Sequence, residues 1–179
     1  MLIRGSMYLI ELFSAKEDQV RLVTFLLSAT LAIVVLLVNQ WFINRRSKRD
    51  FLLNKIEELT QLSIEYVSMC GSALDELKDM FEDKRCKHYD LSYETVRKMN
   101  AQLLKIEMIC VLYFEKTGFK NEHYSLSNFK CMEYLHKYKE LGLDDGDVYE
   151  IFNEDYSKLQ NYEDRLATLC FDLAKQVRH

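Results

Sequence analysis

The chain has 179 residues, no proline and five glycines, and 49% of its residues are hydrophobic. It is long enough for one folded domain plus an anchor, and the absence of a residue that breaks helices favours long helices. Residues 1–50 carry seven Lys/Arg and four Asp/Glu, which gives a net charge of +3. Residues 51–179 carry seventeen Lys/Arg and twenty-four Asp/Glu, which gives a net charge of −7. A domain this acidic is a poor nonspecific nucleic-acid binder, because phosphates require a positive surface.

Residues 1–19 form a short N-terminal segment in which Met7–Phe13 is amphipathic and is predicted to lie along the outer leaflet. The stretch from Leu22 to Val38 then contains 17 residues without a charge, and its continuation to Ile43 gives 22. A bilayer core of about 30 Å needs about 20 helical residues, so a transmembrane helix is predicted over residues 20–44. A signal peptide is disfavoured by the length of the stretch and the lack of a cleavage site. A buried soluble helix is disfavoured because every face is apolar.

The charges beside this span predict its orientation. Residues 45–50 form a basic linker, and the positive-inside rule places that side in the cytoplasm and the N-terminus outside. Trp41 fits as an interfacial anchor on the same side. The prediction is therefore a single-pass membrane protein whose C-terminal domain is cytoplasmic. The basic residues of this inner flank are Arg45, Arg46, Lys48 and Arg49.

One helical face of the span is smaller and more polar than the rest. Its residues recur every three or four positions, and they include a small-xxx-small series that lets helices pack closely in lipid. Polar groups within a bilayer usually face a partner, headgroups or water. Ordinary helix pairing and the lining of an oligomeric pore both remain open. The six residues of this polar stripe are Arg21, Thr24, Ser28, Ala32, Val35 and Asn39.

The periodicity after the linker predicts that residues 51–179 form an all-α, four-helix up-and-down bundle. The first bundle helix shows a heptad-like seam of inward-facing residues, and the residues in the middle of the seam are small. Ser92 is the predicted N-cap of the second helix. Gly118 and Gly142 are the predicted ends of the second and third. Leu143–Asp147 reads as a turn with an N-cap, since it lacks the ligand pattern of a calcium loop. The four predicted helices cover about residues 50–87, 92–118, 127–141 and 147–177.

The cysteines and histidines predict no cofactor and no metal site. The number of cysteines is odd and no pair has CxxC spacing, so they are expected to be free thiols in a reducing compartment. Glu133 and His136 alone have the Glu-x-x-His spacing of di-iron bundles, and the second copy that such a site needs is missing. The five cysteines, all after the span, are Cys70, Cys86, Cys110, Cys131 and Cys170.

The architecture as a whole resembles a known family. One N-terminal span, a basic inner flank and a degenerate HEPN-like bundle are similar to the small membrane accessory proteins encoded beside the RNA-guided RNA-cutting effector of type VI-B CRISPR systems. The resemblance covers the whole chain. It implies a homo-oligomeric ring in the inner membrane that depolarises the cell when infection is sensed, with that effector nuclease as a further partner. The arginine that HEPN ribonucleases place four to six residues before a histidine is absent, so the chain is predicted not to be an enzyme.

Two other functions remain open beside the pore. A membrane-anchored adaptor would use the span only for its hydrophobicity and hold a cytoplasmic partner at the membrane. An anchored ribonuclease with an unusual site would draw on Arg165 and His136, because hydrolysis of RNA needs a positioned general base.

Overall fold

A computed structural model describes residues 16–83, 89–137, 141–142 and 144–178. These residues form an all-helical protein, and no strand occurs among them. The chain divides into two compact units between Lys48 and Arg49. The α-helices of the described residues are α1 (Lys16–Glu82), α2 (Tyr93–Tyr113), α3 (Lys130–Lys137) and α4 (Asp145–Arg178). Three short 3-10 turns connect α2 to α3: Glu115–Thr117, Asn121–Tyr124 and Leu126–Asn128.

The first unit contains the apolar part of α1. Within the described residues, this is the one helix that is long and apolar enough to cross a bilayer. None of the residues in its most apolar 18-residue stretch is buried. Leu27, Leu31 and Leu36 each expose about two thirds of their surface. Since the core helix of a soluble domain is mostly buried, the exposure is what a helix surrounded by lipid requires.

The core of the second unit is built on the predicted seam of α1. Leu59, Tyr66 and Cys70 lie at steps of seven and four residues, and each is almost completely buried. This spacing keeps the residues on one side of the helix, where they pack against α2 and α4. The predicted inner face is confirmed for Ile56, Leu59, Ser63, Tyr66, Cys70, Ala73 and Leu77, with Leu52 and Met80 partly buried.

The local capping residues predicted for the second and fourth bundle helices are confirmed. The Ser92 hydroxyl accepts a hydrogen bond from the Thr95 N–H at 3.1 Å and caps α2. At the start of α4, the Asp147 N–H donates to the Asp144 side chain and the Asp144 N–H donates to the Asp147 side chain, both at 2.9 Å. These carboxylates therefore satisfy backbone groups that the first turn of a helix leaves unpaired. Because α4 begins at Asp145, it starts two residues earlier than predicted.

The predicted start of the third helix at Ser127 is wrong. Ser127 lies in a 3-10 turn, and α3 begins at Lys130. The reason is Asp155 on α4, which is 1% exposed and accepts hydrogen bonds from the N–H groups of Lys130 (2.8 Å) and Cys131 (2.7 Å). A carboxylate 25 residues downstream thus caps the helix, and no local pattern reveals it.

The predicted end of the second helix is also corrected. α2 stops at Tyr113, and Gly118, with φ +59°, ends the following 3-10 turn instead. The connection to α3 is tied to the core rather than being an irregular loop. The Glu107 carboxylate accepts from the Asn121 side chain at 3.0 Å, and the buried Tyr66 hydroxyl donates to the Tyr124 carbonyl.

Some sequence predictions lie outside the described residues. These include the amphipathic piece Met7–Phe13, the residues 84–87 that would extend the first bundle helix, Cys86, and the side chain of His136. α1 itself ends at Glu82.

The other four cysteines are free, as predicted, and all four are buried. Burial raises the pKa of the Cys70 and Cys110 thiols to about 11, and it raises the pKa of Cys131 and Cys170 as well. The thiolate is the nucleophilic form of cysteine. These thiols therefore stay protonated and unreactive at neutral pH.

We expect Cys70 and Cys110 to resist alkylation in the folded protein. Their raised pKa alone lowers the thiolate fraction at pH 8 by about 100-fold relative to an exposed cysteine, and burial blocks access in addition. Labelling with iodoacetamide, followed by peptide mass spectrometry, would show modification only after unfolding in urea. Labelling of Cys70 in the native protein at the rate of the unfolded control would contradict this prediction.

Replacing Asp155 with alanine should lower the free energy of unfolding of the second unit by about 3 kcal/mol. The change removes a carboxylate that satisfies two backbone N–H groups and leaves both without that acceptor. Urea unfolding followed by circular dichroism in detergent measures the effect. Glu154→Ala is the matched control, because its exposed ion pair with Lys130 should contribute less than about 1 kcal/mol. Equal losses in the two variants would show that Asp155 does not hold α3.

Candidate functional site

The six residues of the polar stripe lie on one side of α1. Successive residues of an α-helix are rotated by about 100°, which places the stripe within an arc of about 80°. All six side chains are exposed in the single chain. The face is therefore open to a neighbouring helix, to lipid or to water. It consists of Arg21, Thr24, Ser28, Ala32, Val35 and Asn39.

The hydroxyl groups of the stripe bond to their own helix. Thr24 donates to the Val20 carbonyl and Ser28 donates to the Thr24 carbonyl, each at 2.8 Å. Thr30, on the opposite side, makes the same bond to Leu26. Such bonds satisfy the hydroxyl donor inside a bilayer without any partner. Thr24 and Ser28 thus tolerate lipid, and they contribute small size and acceptor capacity rather than a free donor.

Asn39 differs from these hydroxyl residues. Within the described part of the chain its amide makes no hydrogen bond, whereas the neighbouring Gln40 donates to Asn44 at 3.1 Å. An amide carries two donors and two acceptor sites, and leaving them unpaired in hydrocarbon costs several kcal/mol. Among the uncharged residues of the stripe, Asn39 is therefore the one that most requires another copy of the helix, headgroups or water.

The basic flank begins at Arg45, between one and two helical turns beyond Asn39. The Arg45 guanidinium lies 5.6 Å from the centre of the Trp41 ring, and Trp41 itself is 56% exposed. An amphipathic ring beside a cation suits the boundary between hydrocarbon and headgroups. Arg49 pairs weakly with Asp50 at 3.7 Å. Arg46 and Lys48, which lie between Arg45 and Arg49 in the sequence, are exposed.

The small residues in the middle of the first bundle helix pack within their own chain. Ser63, Cys70 and Ala73 are buried inside their own unit. A Cβ added at Gly71 would lie 3.7 Å from Leu159 of α4. The small residues thus bring α1 and α4 together within one chain.

Of the two residues considered for an unusual ribonuclease site, Arg165 has a described side chain, whereas that of His136 lies outside the described residues. The Arg165 guanidinium stacks 5.3 Å from the centre of the Tyr124 ring. It lines a cleft of about 400 Å³ together with Lys120 and His123, a juxtaposition that no sequence spacing revealed. Asp164 and Asp172 line the same cleft. Their charges offset the two cations, so the cleft lacks the positive field that RNA phosphates require.

No group of three or more metal-ligating side chains occurs in the described parts of the chain. In a comparison with known proteins, the chain matches no family model, no curated protein and no solved structure.

Proposed function

We propose that the chain is the subunit of a homo-oligomeric pore in the bacterial inner membrane. The observation that carries this proposal is an unburied apolar helix with one stripe of small and polar residues that includes an amide without a hydrogen-bond partner in its described surroundings. One helix cannot enclose a channel, so several copies are required. With their stripes turned inward, Asn39 would meet water or other copies of itself, and the remaining apolar faces would meet lipid.

The resemblance to type VI-B CRISPR accessory proteins supplies the physiological setting. Under this proposal the second unit is a degenerate HEPN-like bundle on the cytoplasmic side, and the N-terminus lies outside. Activation of the RNA-guided effector nuclease opens the pore, and the membrane potential falls. The basic flank supports this orientation, because four cationic residues immediately after the span favour the cytoplasmic face.

Two alternatives have less support. An adaptor uses the span only for its hydrophobicity, so it gives the small and polar residues of the stripe no role. A ribonuclease would need a general base in a positive cleft, and the described cleft beside Arg165 contains two carboxylates. The adaptor is the stronger of the two, because it requires no site at all.

Replacing Asn39 or Ser28 with leucine should reduce ion leakage several-fold without unfolding the protein. Either change makes the stripe apolar, and an apolar lining opposes the entry of water and ions. Leakage is measured with a potential-sensitive dye in cells and in proteoliposomes, with circular dichroism as the check on folding. Thr30→Leu is the matched control, since Thr30 bonds its own helix as Ser28 does but lies on the opposite side. Equal leakage in all three well-expressed variants would count against the pore.

Exchanging residues 20–44 for an unrelated single-pass helix separates the pore from the adaptor. The exchange keeps the anchor and the second unit but removes the stripe. A pore should lose its leakage, whereas an adaptor should keep its protective effect in cells that contain the effector nuclease. Membrane fractionation confirms that the exchanged protein is still inserted. Full leakage after the exchange would contradict the pore.

A further inference from the structure

α2 is apolar on two opposite sides. Its inner side packs into the core, with Met99, Leu103 and Ile106 buried. On the opposite side, four large apolar residues are exposed at helical spacing, each by more than half of its surface. We call them the outer face of α2: Leu104 (51%), Met108 (52%), Val111 (57%) and Leu112 (63%). A surface helix normally carries polar residues on the side away from its core, so this face indicates a partner.

A second apolar surface lies elsewhere on the same unit. A groove of about 450 Å³ runs between α1 and α4. Ile64, exposed by 66%, lies along it, and the small residues Ser68 and Ala167 leave space between the two helices. We call this the α1–α4 groove. Its further apolar walls are Val67, Leu166 and Cys170.

The charges beside the two surfaces are opposite in sign. Arg97 and Lys105 are exposed on α2 beside its outer face. Glu163 lines the groove, and Glu57 is exposed on α1 one helical turn before Thr60, which also lines it. In the described part of the chain, none of these four charged side chains pairs with an opposite charge. Complementary charges around complementary apolar surfaces set the register of protein contacts.

We infer that the outer face of α2 docks into the α1–α4 groove of a second copy of this chain. The side of a helix is the shape that fills a groove between two helices. The outer face points away from its own core, so it cannot reach the groove of its own chain. The occupant is assigned to a second copy, rather than to lipid or another protein, because one chain carries both complementary halves.

This contact joins two different surfaces, so it is heterologous. Such contacts repeat from copy to copy and close into a ring when the rotation allows it. The inference deepens the proposed pore, on which it rests for its function, by naming the contact between neighbouring subunits. Its test uses mass rather than conductance, so the two proposals can fail separately.

The test uses full-length protein in a mild detergent, with masses from native mass spectrometry. Two variants each remove one half of the contact. The double variant Leu104→Asp, Met108→Asp places carboxylates on the outer face, and Ala167→Trp fills the groove. Each should fall to the 21.3 kDa of a single chain at concentrations where the unaltered protein forms larger species. Leu141→Asp, which alters an exposed leucine away from both surfaces, should assemble normally.

Mixing the two variants gives the decisive result. The intact groove of the Leu104→Asp, Met108→Asp variant can bind the intact outer face of the Ala167→Trp variant. The altered outer face of the first variant and the filled groove of the second cannot bind, so the mixture should form dimers and nothing larger. Contact between two outer faces would instead leave Ala167→Trp fully assembled, which would overturn the inference. Unchanged assembly of both variants would overturn it as well while leaving the pore proposal standing. An assembled protein without conductance would overturn the pore and leave the contact.

The charge reversal Arg97→Glu with Lys105→Glu provides a second variant whose apolar surface is intact. It should shift assembly to higher protein concentration, and Glu57→Lys with Glu163→Lys should do the same. Circular dichroism verifies that both remain helical. If neither reversal shifts the assembly, the contact proposed here is wrong.

Discussion

The placement of apolar side chains along α1 is the constraint on which the rest of the molecule depends. Between Leu22 and Val38 they surround the helix, and from Ile56 to Leu77 they are confined to a buried seam. A helix satisfies its own backbone hydrogen bonds, so the same backbone geometry suits hydrocarbon and a folded core alike. No proline interrupts the helix, and only the side chains decide which environment each part can occupy.

The features that sequence could predict are those determined by neighbours in the chain. The seam of α1 follows from a repeat of three and four residues, and a helix of 3.6 residues per turn converts that repeat into one side. Ser92 caps α2 through an N–H three residues away, and Asp144 and Asp147 cap α4 over the same distance. Local spacing contains all the information that these contacts need.

The features that sequence could not predict are polar contacts between distant residues. Asp155 fixes the start of α3 from 25 positions away, and the Tyr66 hydroxyl holds the Tyr124 carbonyl from 58 positions away. Gln102, which is buried, donates to Glu65 at 2.6 Å and joins α2 to α1. A buried polar group must find a partner wherever the fold brings one. The partner is therefore known only after the helices are packed, and local spacing does not locate the start of the third helix for that reason.

The candidate site likewise has features that local spacing predicts and others that only the structure shows. Spacing placed six residues on one side of α1, but it could not show that Thr24 and Ser28 bond their own helix while Asn39 does not. Among the uncharged residues of the stripe, that difference leaves Asn39 with the greatest need for a polar environment.

A single amide on one helix cannot organise an assembly, because its few hydrogen bonds contribute little beside their desolvation. In the proposed assembly, register and copy number would therefore come from a larger surface, which the proposed contact between the outer face of α2 and the α1–α4 groove would supply. A contact between unlike surfaces leaves one of them free at each end of an open chain of subunits. Closure into a ring would satisfy both surfaces, and it would also surround a lumen with stripes.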